Sequence, residues 1–337
     1  MNIRSSMKFA LCGMALVSAP AALAQVTLYG IIDTSIRYQN NTNADTSSDV
    51  SARPGAYGAS RFGFKGREDL GNGLYAAFQL ENGFNPNTGA QTDSSRLFNR
   101  HSWVGLGGDW GLLSAGRQYS LTHEVLAMNM YDVIGVGGYD ETAWYVGTQY
   151  TLRYDNSLKY RANFNGVQLG AMYSFSGVPD VDDSFGLMAM IPVGPFSIAL
   201  SHHTDEAING KRTTNLLALK YRFDNGTTLH AYTMYSKDKR GIDRKDRLYA
   251  LGFIHPLNDR FILSGTYYRN LTETPDTGGR STFLARLQYA LSKRSELYLE
   301  ADHSRVSGVT VSALNAPDKI GTNTNRSTFS VGYKHVF

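Results

Sequence analysis

Few side chains in this 337-residue sequence stand at spacings that could make or break a covalent bond. Eight histidines are present, yet no serine occupies a G-x-S-x-G or comparable setting, so a Ser–His–Asp relay has no exposed nucleophile to serve. His202-His203 could face a metal, but the pair lacks carboxylate or cysteine neighbours at ligand spacing and reads as strand residues beside a loop. Gly105-Leu106-Gly107-Gly108 follows a strand with no helix opening behind it, which makes it a tight turn rather than a pyrophosphate cradle. Asp180, Asp182 and Asp183 suit a solvated loop before a cation site. Lys237-Asp238-Lys239-Arg240 could touch phosphates, although mixed-sign charge of this kind is ordinarily loop solubility. The one cysteine, Cys12, sits inside an apolar run with a cleavage site beyond it, so neither lipid attachment nor a disulfide is expected. No catalytic residue, cofactor or metal is therefore expected. What remains is electrostatic. A segment from about 121 to 150 places Asp132, Asp140 and Glu141 beside Gly135, Gly137 and Gly138, acids on a chain able to turn tightly.

The elements that would position those charges begin after a leader. Arg4 and Lys8 precede an unbroken small and apolar run from Phe9 to Ala24, and Ala22-Leu23-Ala24 offers an A-x-A cleavage site. Residues 1–24 are expected to be a cleaved export signal, leaving 25–337 as a single domain. The formal charge of +4 falls to +2 without Arg4 and Lys8, and no basic stripe of the nucleic-acid kind appears. No later window approaches the ~18 apolar residues of a membrane helix. Yet 34 glycines and 21 tyrosines against 9 prolines suit a β-barrel with aromatic girdles.

Past residue 25 the dominant period is two. Arg61, Gly63, Lys65 and Arg67 alternate with Phe62, Phe64 and Gly66. Leu74, Ala76, Phe78 and Leu80 alternate with Tyr75, Ala77, Gln79 and Glu81. Such alternation puts one face in an apolar medium and the other in a polar one. Short breaks at 70–73, 107–111, 163–166, 192–195, 224–226, 256–259 and 292–294 carry the Gly, Asn, Asp and Pro of hairpin turns. Longer polar segments fall between them, at about 39–59, 85–96, 121–150, 178–183, 205–212, 238–244, 272–279 and 307–325. The runs between breaks number about sixteen, an even count that lets the first and last strands pair and leaves no open edge. A barrel of that size encloses water rather than a packed core. The fold class is all-β: a 16-stranded antiparallel transmembrane barrel, with short turns at one end and long loops at the other. In the closing run, Phe329, Val331, Tyr333, His335 and Phe337 share one face.

These residues carry a resemblance. Val26-Thr27-Leu28-Tyr29-Gly30 with Asp33, then Ser60-Arg61-Phe62-Gly63-Phe64-Lys65-Gly66 and Glu68-Asp69-Leu70-Gly71-Asn72-Gly73-Leu74, stand in the order seen in Gram-negative general porins of proteobacteria such as Burkholderia and Bordetella. Phe78 to Phe84, Arg96-Leu97-Phe98, Gly116-Arg117-Gln118-Tyr119, Asn156 to Tyr160 and Val331 to Phe337 continue it over essentially the whole chain after the leader. The resemblance implies a homotrimer in the outer membrane, among its lipids and lipopolysaccharide, with the third loop (about 121–150) folded into the pore. It implies that Tyr333, His335 and Phe337 are read by the barrel-assembly machinery. It also implies that the second loop, from about Glu81 to Arg96, latches onto a neighbouring subunit.

The resemblance further implies a basic wall, which by motif position would fall on Arg61, Arg100 and Arg153, facing an acidic lip on the third loop at Asp132, Asp140 and Glu141. Opposed charge in a narrow opening selects by size and by sign, and arginine keeps its charge at every relevant pH. Parity favours Arg61, opposite Phe62 and Phe64, and Arg153, opposite Tyr154, Leu158 and Tyr160. Arg100 shares parity with Val104 and Leu106, so it turns inward only if a bulge intervenes or if those two residues themselves face inward near the subunit contact. Few acids against several arginines imply weak or mildly anion-preferring passage of ions and small hydrophilic solutes. Two rivals stand beside this reading. An outer-membrane barrel enzyme of phospholipase or protease type would need the missing nucleophile setting. A secreted β-sandwich would pack its apolar faces together and remain soluble without detergent.

Overall fold

A computed structural model describes residues 25–41, 47–134, 149–177, 183–241, 243–274, 277–308 and 324–337. Most of them lie in one antiparallel sheet whose first strand, β1 (Gln25–Gln39), pairs with its last, β17 (Asn325–Val336), from Ile31↔Val336 to Gln39↔Thr328. The sheet is thus a closed cylinder with every edge paired. Seventeen segments make sixteen crossings. The upper half of β1 pairs with β2 (Asp49–Pro54) and its lower half with β3 (Arg61–Gly71), so these two are parts of one strand interrupted at residues 55–60. The 39–59 segment read as one loop is therefore corrected: within it, Asp49–Pro54 continues the wall.

The remaining strands follow as a meander of hairpins: β4 (Leu74–Gly83), β5 (His101–Gly108), β6 (Gly111–Tyr119), β7 (Arg153–Phe164), β8 (Val167–Ser174) and β9 (Ser184–Val193). Then come β10 (Phe196–Ala207), β11 (Gly210–Arg222), β12 (Thr228–Asp238), β13 (Arg244–Pro256), β14 (Phe261–Thr274), β15 (Gly278–Ala290) and β16 (Ser295–Gly308). Tight turns close one end. At β3–β4, Asn72 and Gly73 both take positive φ, 53° and 78°, the left-handed pair a two-residue hairpin demands. The longest of the described connections is the third loop between β6 and β7, at the opposite end.

Outward side chains are apolar and exposed, among them Leu28, Val104, Leu187, Leu217, Leu251, Leu299 and Val331. Burying them in hydrocarbon, rather than against other protein, is what their exposure requires. Near the tight-turn end, aromatic rings form a band: Phe196 and Tyr221 meet at 4.7 Å, Tyr221 and Phe223 at 4.6 Å, and Phe261 and Tyr289 at 4.7 Å. In β17, Phe329, Val331 and Tyr333 face outward, and Phe337 exchanges two backbone hydrogen bonds with Gly30 across the closing seam.

The inner face is not uniformly polar. From β8 to β13 it presents Met172, Met188, Met190, Ala199, Leu216, Ala218, Met234, Leu248 and Ala250. Strict alternation would have put water against these groups. Instead the third loop covers them with Leu121, Val125, Leu126, Tyr131 and Ile134.

Candidate pore constriction

The third loop enters the barrel through a helical turn, α1 (Leu121–His123), which widens into a π-type turn over Glu124–Met128. Ser120 caps it by accepting from the His123 backbone N–H at 3.2 Å. Apolar residues at 121, 125 and 126 then share the face turned to the wall, which is why this segment lies flat on β8–β13 rather than in solvent. Polar anchors fix its base. Lys159 of β7 donates to Glu124 Oε1 at 2.6 Å and to the Tyr119 carbonyl at 3.0 Å, with both charged groups of the pair buried. Thr122 Oγ1 and Ser201 Oγ lie 2.9 Å apart, and His203 accepts the Leu121 N–H at 3.2 Å.

Asp132 sits farther along the loop and is fully buried. It accepts from the Tyr232 hydroxyl at 2.6 Å, the Tyr268 hydroxyl at 2.8 Å and the Ile134 N–H at 2.9 Å. Its carboxylate thus faces β12 and β14, not the open lumen. The expectation of Asp132 on an acidic lip is corrected to a loop anchor, because two tyrosine hydroxyls offer charge-assisted hydrogen bonds that outcompete exposure. Asp140 and Glu141 lie outside the described residues.

Beside the base of the loop, three arginines converge. Arg100 donates from Nε to Glu81 Oε1 at 2.6 Å and from a terminal nitrogen to the Tyr119 hydroxyl. Arg153 donates to the same hydroxyl at 3.0 Å, and its guanidinium lies 4.6 Å from the Tyr119 ring centre. Arg61 Nε stands 3.8 Å from Glu81 Oε2, while its Nη1 donates to the Ala59 carbonyl at 3.3 Å. One ring and one carboxylate therefore gather three guanidinium charges. Glu81 also accepts from the Tyr29 hydroxyl at 2.8 Å.

The structure thus brings Arg61, Arg100 and Arg153 together, and parity accounts for only part of it. Val104 and Leu106 do face outward, but Arg100 precedes the first residue of β5 and is not bound by that strand's alternation. Along β7, the ladder with β6 shifts register between Gly116 and Gln118, and Asn156 takes a positive φ of 48°. That irregularity turns Arg153 and Tyr154 both inward, where alternation would have opposed them; Tyr154 donates to Asp205 and stacks on His203 at 5.5 Å. Sequence reasoning missed Glu81 and Tyr119. Both stand in the motifs quoted above, but nothing in their own spacing marks either as the hub.

A family model described as Gram-negative porin matches residues 10–309. This chain belongs to the Gram-negative porin family. An outer membrane porin protein of Bordetella pertussis is 30% identical, with 89% of this chain and 94% of the relative covered. An anion-selective porin from Comamonas acidovorans has the same fold at a TM-score of 0.76 and 23% identity, over 93% of this chain and all of that one. OmpT of Vibrio cholerae, in a trimer form, superposes at a TM-score of 0.70 with 13% identity, over 93% of this chain and 99% of that one. The porin is an outer-membrane channel for passive diffusion of ions and small hydrophilic solutes, and its relatives are pores rather than enzymes. The barrel's lipid-facing shell also disposes of the β-sandwich reading.

Proposed function

We propose that this porin is a homotrimer with a mild preference for anions, set where Arg61, Arg100 and Arg153 face the third loop. The observation that carries the preference is local charge: Arg61 and Arg100 share one carboxylate, Glu81, Arg153 meets only the Tyr119 hydroxyl and ring beside them, and Asp132 is turned away. A surplus of positive charge in a narrow passage lowers the energy of a passing anion and raises that of a cation. Asp140 and Glu141 are the remaining candidates for the acidic side. The similarity to an anion-selective pore is in keeping with this reading. In the trimer, the second loop is a fitting latch. It lies outside the wall, where Asn87 Oδ1 accepts from the outward Thr34 hydroxyl at 2.6 Å. Residues 1–24 serve as the cleaved export signal, the β17 aromatics with His335 and Phe337 as the mark read by the assembly machinery, and lipopolysaccharide surrounds the loop end.

Reversal potentials in a planar bilayer under a salt gradient test the charge reading. Removing one guanidinium about 6 Å from a passing ion in water changes its energy by roughly 0.7 kcal/mol, in opposite senses for an anion and a cation, or about tenfold in the anion-to-cation permeability ratio. Arg153→Gln should shift the potential toward cations by that amount. A cation-selective parent channel would reject the proposal.

A further inference from the structure

The six residues that interrupt the wall between β2 and β3 do not loop outward. Ser60 Oγ accepts the Asp33 N–H at 2.9 Å and donates to the Asp33 carbonyl at 3.1 Å, while the Gly55 N–H donates to that same carbonyl at 2.8 Å. Both ends of the excursion are therefore pinned to one residue of β1. From there the turn crosses the inner face toward β16. The Asp33 carboxylate, which is inward and fully buried, accepts from the Tyr57 N–H at 3.1 Å, the Gly58 N–H at 2.7 Å and the Tyr298 hydroxyl at 2.6 Å. Tyr298 accepts the Ala56 N–H at 3.1 Å, and Arg286 of β15 donates to the Ala56 carbonyl at 3.2 Å.

Every polar group of the turn named here is spoken for by the inner wall, and the distal side chain is Tyr57. Its ring is half-buried, 6.3 Å from the Tyr298 ring centre and edge-on to it. The Arg286 guanidinium lies 4.4 Å from its centre and the Lys334 ammonium 3.5 Å. Both cations have acid partners: Glu300 for Arg286 at 2.5 Å, Glu296 for Lys334 at 2.6 Å. The ring is thus clamped, while the charges around it balance in pairs.

We propose that residues 55–60 are a second narrowing element of the pore, independent of the third loop, in which Tyr57 limits passage by size rather than by charge. An inward turn braced across β1, β16 and β15 thickens one side of the wall, just as the third loop thickens the side from β8 to β13. The turn ends at Arg61, so it also fixes one member of the arginine wall through the Ala59 carbonyl. The solutes it would discriminate are neutral and hydrophilic, close to the channel's size limit, such as a disaccharide.

The proposal rests on the channel reading, but not on its selectivity, and the measurements separate them. Tyr57→Ala removes the ring and leaves the backbone anchors. In purified, SDS-resistant barrels, single-channel conductance should rise by about a fifth or more, since a wider constriction carries more current. Liposome swelling in a disaccharide should speed up, and the reversal potential should stay where it was. Tyr57→Phe keeps the ring and should match the parent. If Tyr57→Ala fails to fold, Tyr57→Trp is the reciprocal variant, and a lowered conductance is expected. A folded Tyr57→Ala barrel with the parent's conductance and swelling rate, or a Tyr57→Trp barrel unchanged in both, would overturn the proposal. Loss of the anion preference in Arg153→Gln bears on the arginine wall alone.

Discussion

The third loop is held to the wall by apolar contact, and Leu126 is the residue on which that can be measured. It is fully buried and belongs to the apolar cluster that joins the third loop to the inner face of β8–β13. Truncating such a leucine removes transfer energy and leaves a cavity, at a cost of about 2–5 kcal/mol. The closed sheet does not share in that cost, because its ladder hydrogen bonds are unaffected. The loss falls on the equilibrium between attached and detached loop. At about 1.4 kcal/mol per decade, Leu126→Ala should multiply the detached population by roughly 30 to several thousand. With the proposed cleavage of residues 1–24, which carry Cys12, no thiol remains in the chain. Val125→Cys is then a unique reporter at a fully buried position. Its labelling by a small thiol reagent should accelerate by that factor when Leu126→Ala is added. Channel recordings on the same protein should show noisier open states. Labelling rates within about threefold of each other would refute the reasoning, since they would mean the loop is held by its polar anchors and the apolar seat is incidental.

Two further outcomes follow from the anchors themselves. His123, on the loop, is held well below its ordinary histidine pKa by burial first and by the neighbouring Arg153 and Arg100 charges second. With its folded value depressed, the detached loop takes up the proton first, so attachment is full above about pH 6.5 and weakens as pH falls through that region. The Val125→Cys reporter, corrected for intrinsic thiol reactivity, should label faster on acidification from pH 7 to 5. A flat profile would exclude His123 as the sensor. Lys159 and Glu124 form a buried pair, so Lys159→Met leaves Glu124 with only Arg161 at 3.5 Å and should destabilise the loop seat by about 3 kcal/mol, within the cost of orphaning a buried charge. The double change with Glu124→Leu should recover most of that loss in the same labelling assay; equal defects in both variants would show that the two residues do not act as a pair.

What the sequence determined by itself was the alternation, and through it the cylinder. Phe64 opposite Lys65, or Phe283 opposite Leu284 and Arg286, is legible because a strand's side chains take opposite faces whatever lies beyond them. Turn chemistry at Asn72-Gly73 is equally local, since positive φ is a property of the residues themselves. The basic residues were legible as a set by family motif, and Arg61 and Arg153 also by their parity.

Tertiary structure alone decided what those faces meet. The inner face of β8–β13 is apolar because another part of the chain covers it, and Met188 carries no sign that Leu121 will lie above it. Asp132 looked like an acid for the pore until Tyr232 and Tyr268, about a hundred residues away or more, supplied its hydrogen bonds. Arg100 escaped its strand's parity by one residue, and Tyr154 joined Arg153 on the inner side by a bulge. The turn at 55–60, read as part of an outer loop, points inward because Asp33, Tyr298 and Arg286 converge there from three separate strands. Periodicity reports on one strand at a time. A constriction is made where several strands and a loop face one another across the lumen, and that encounter is set by barrel closure.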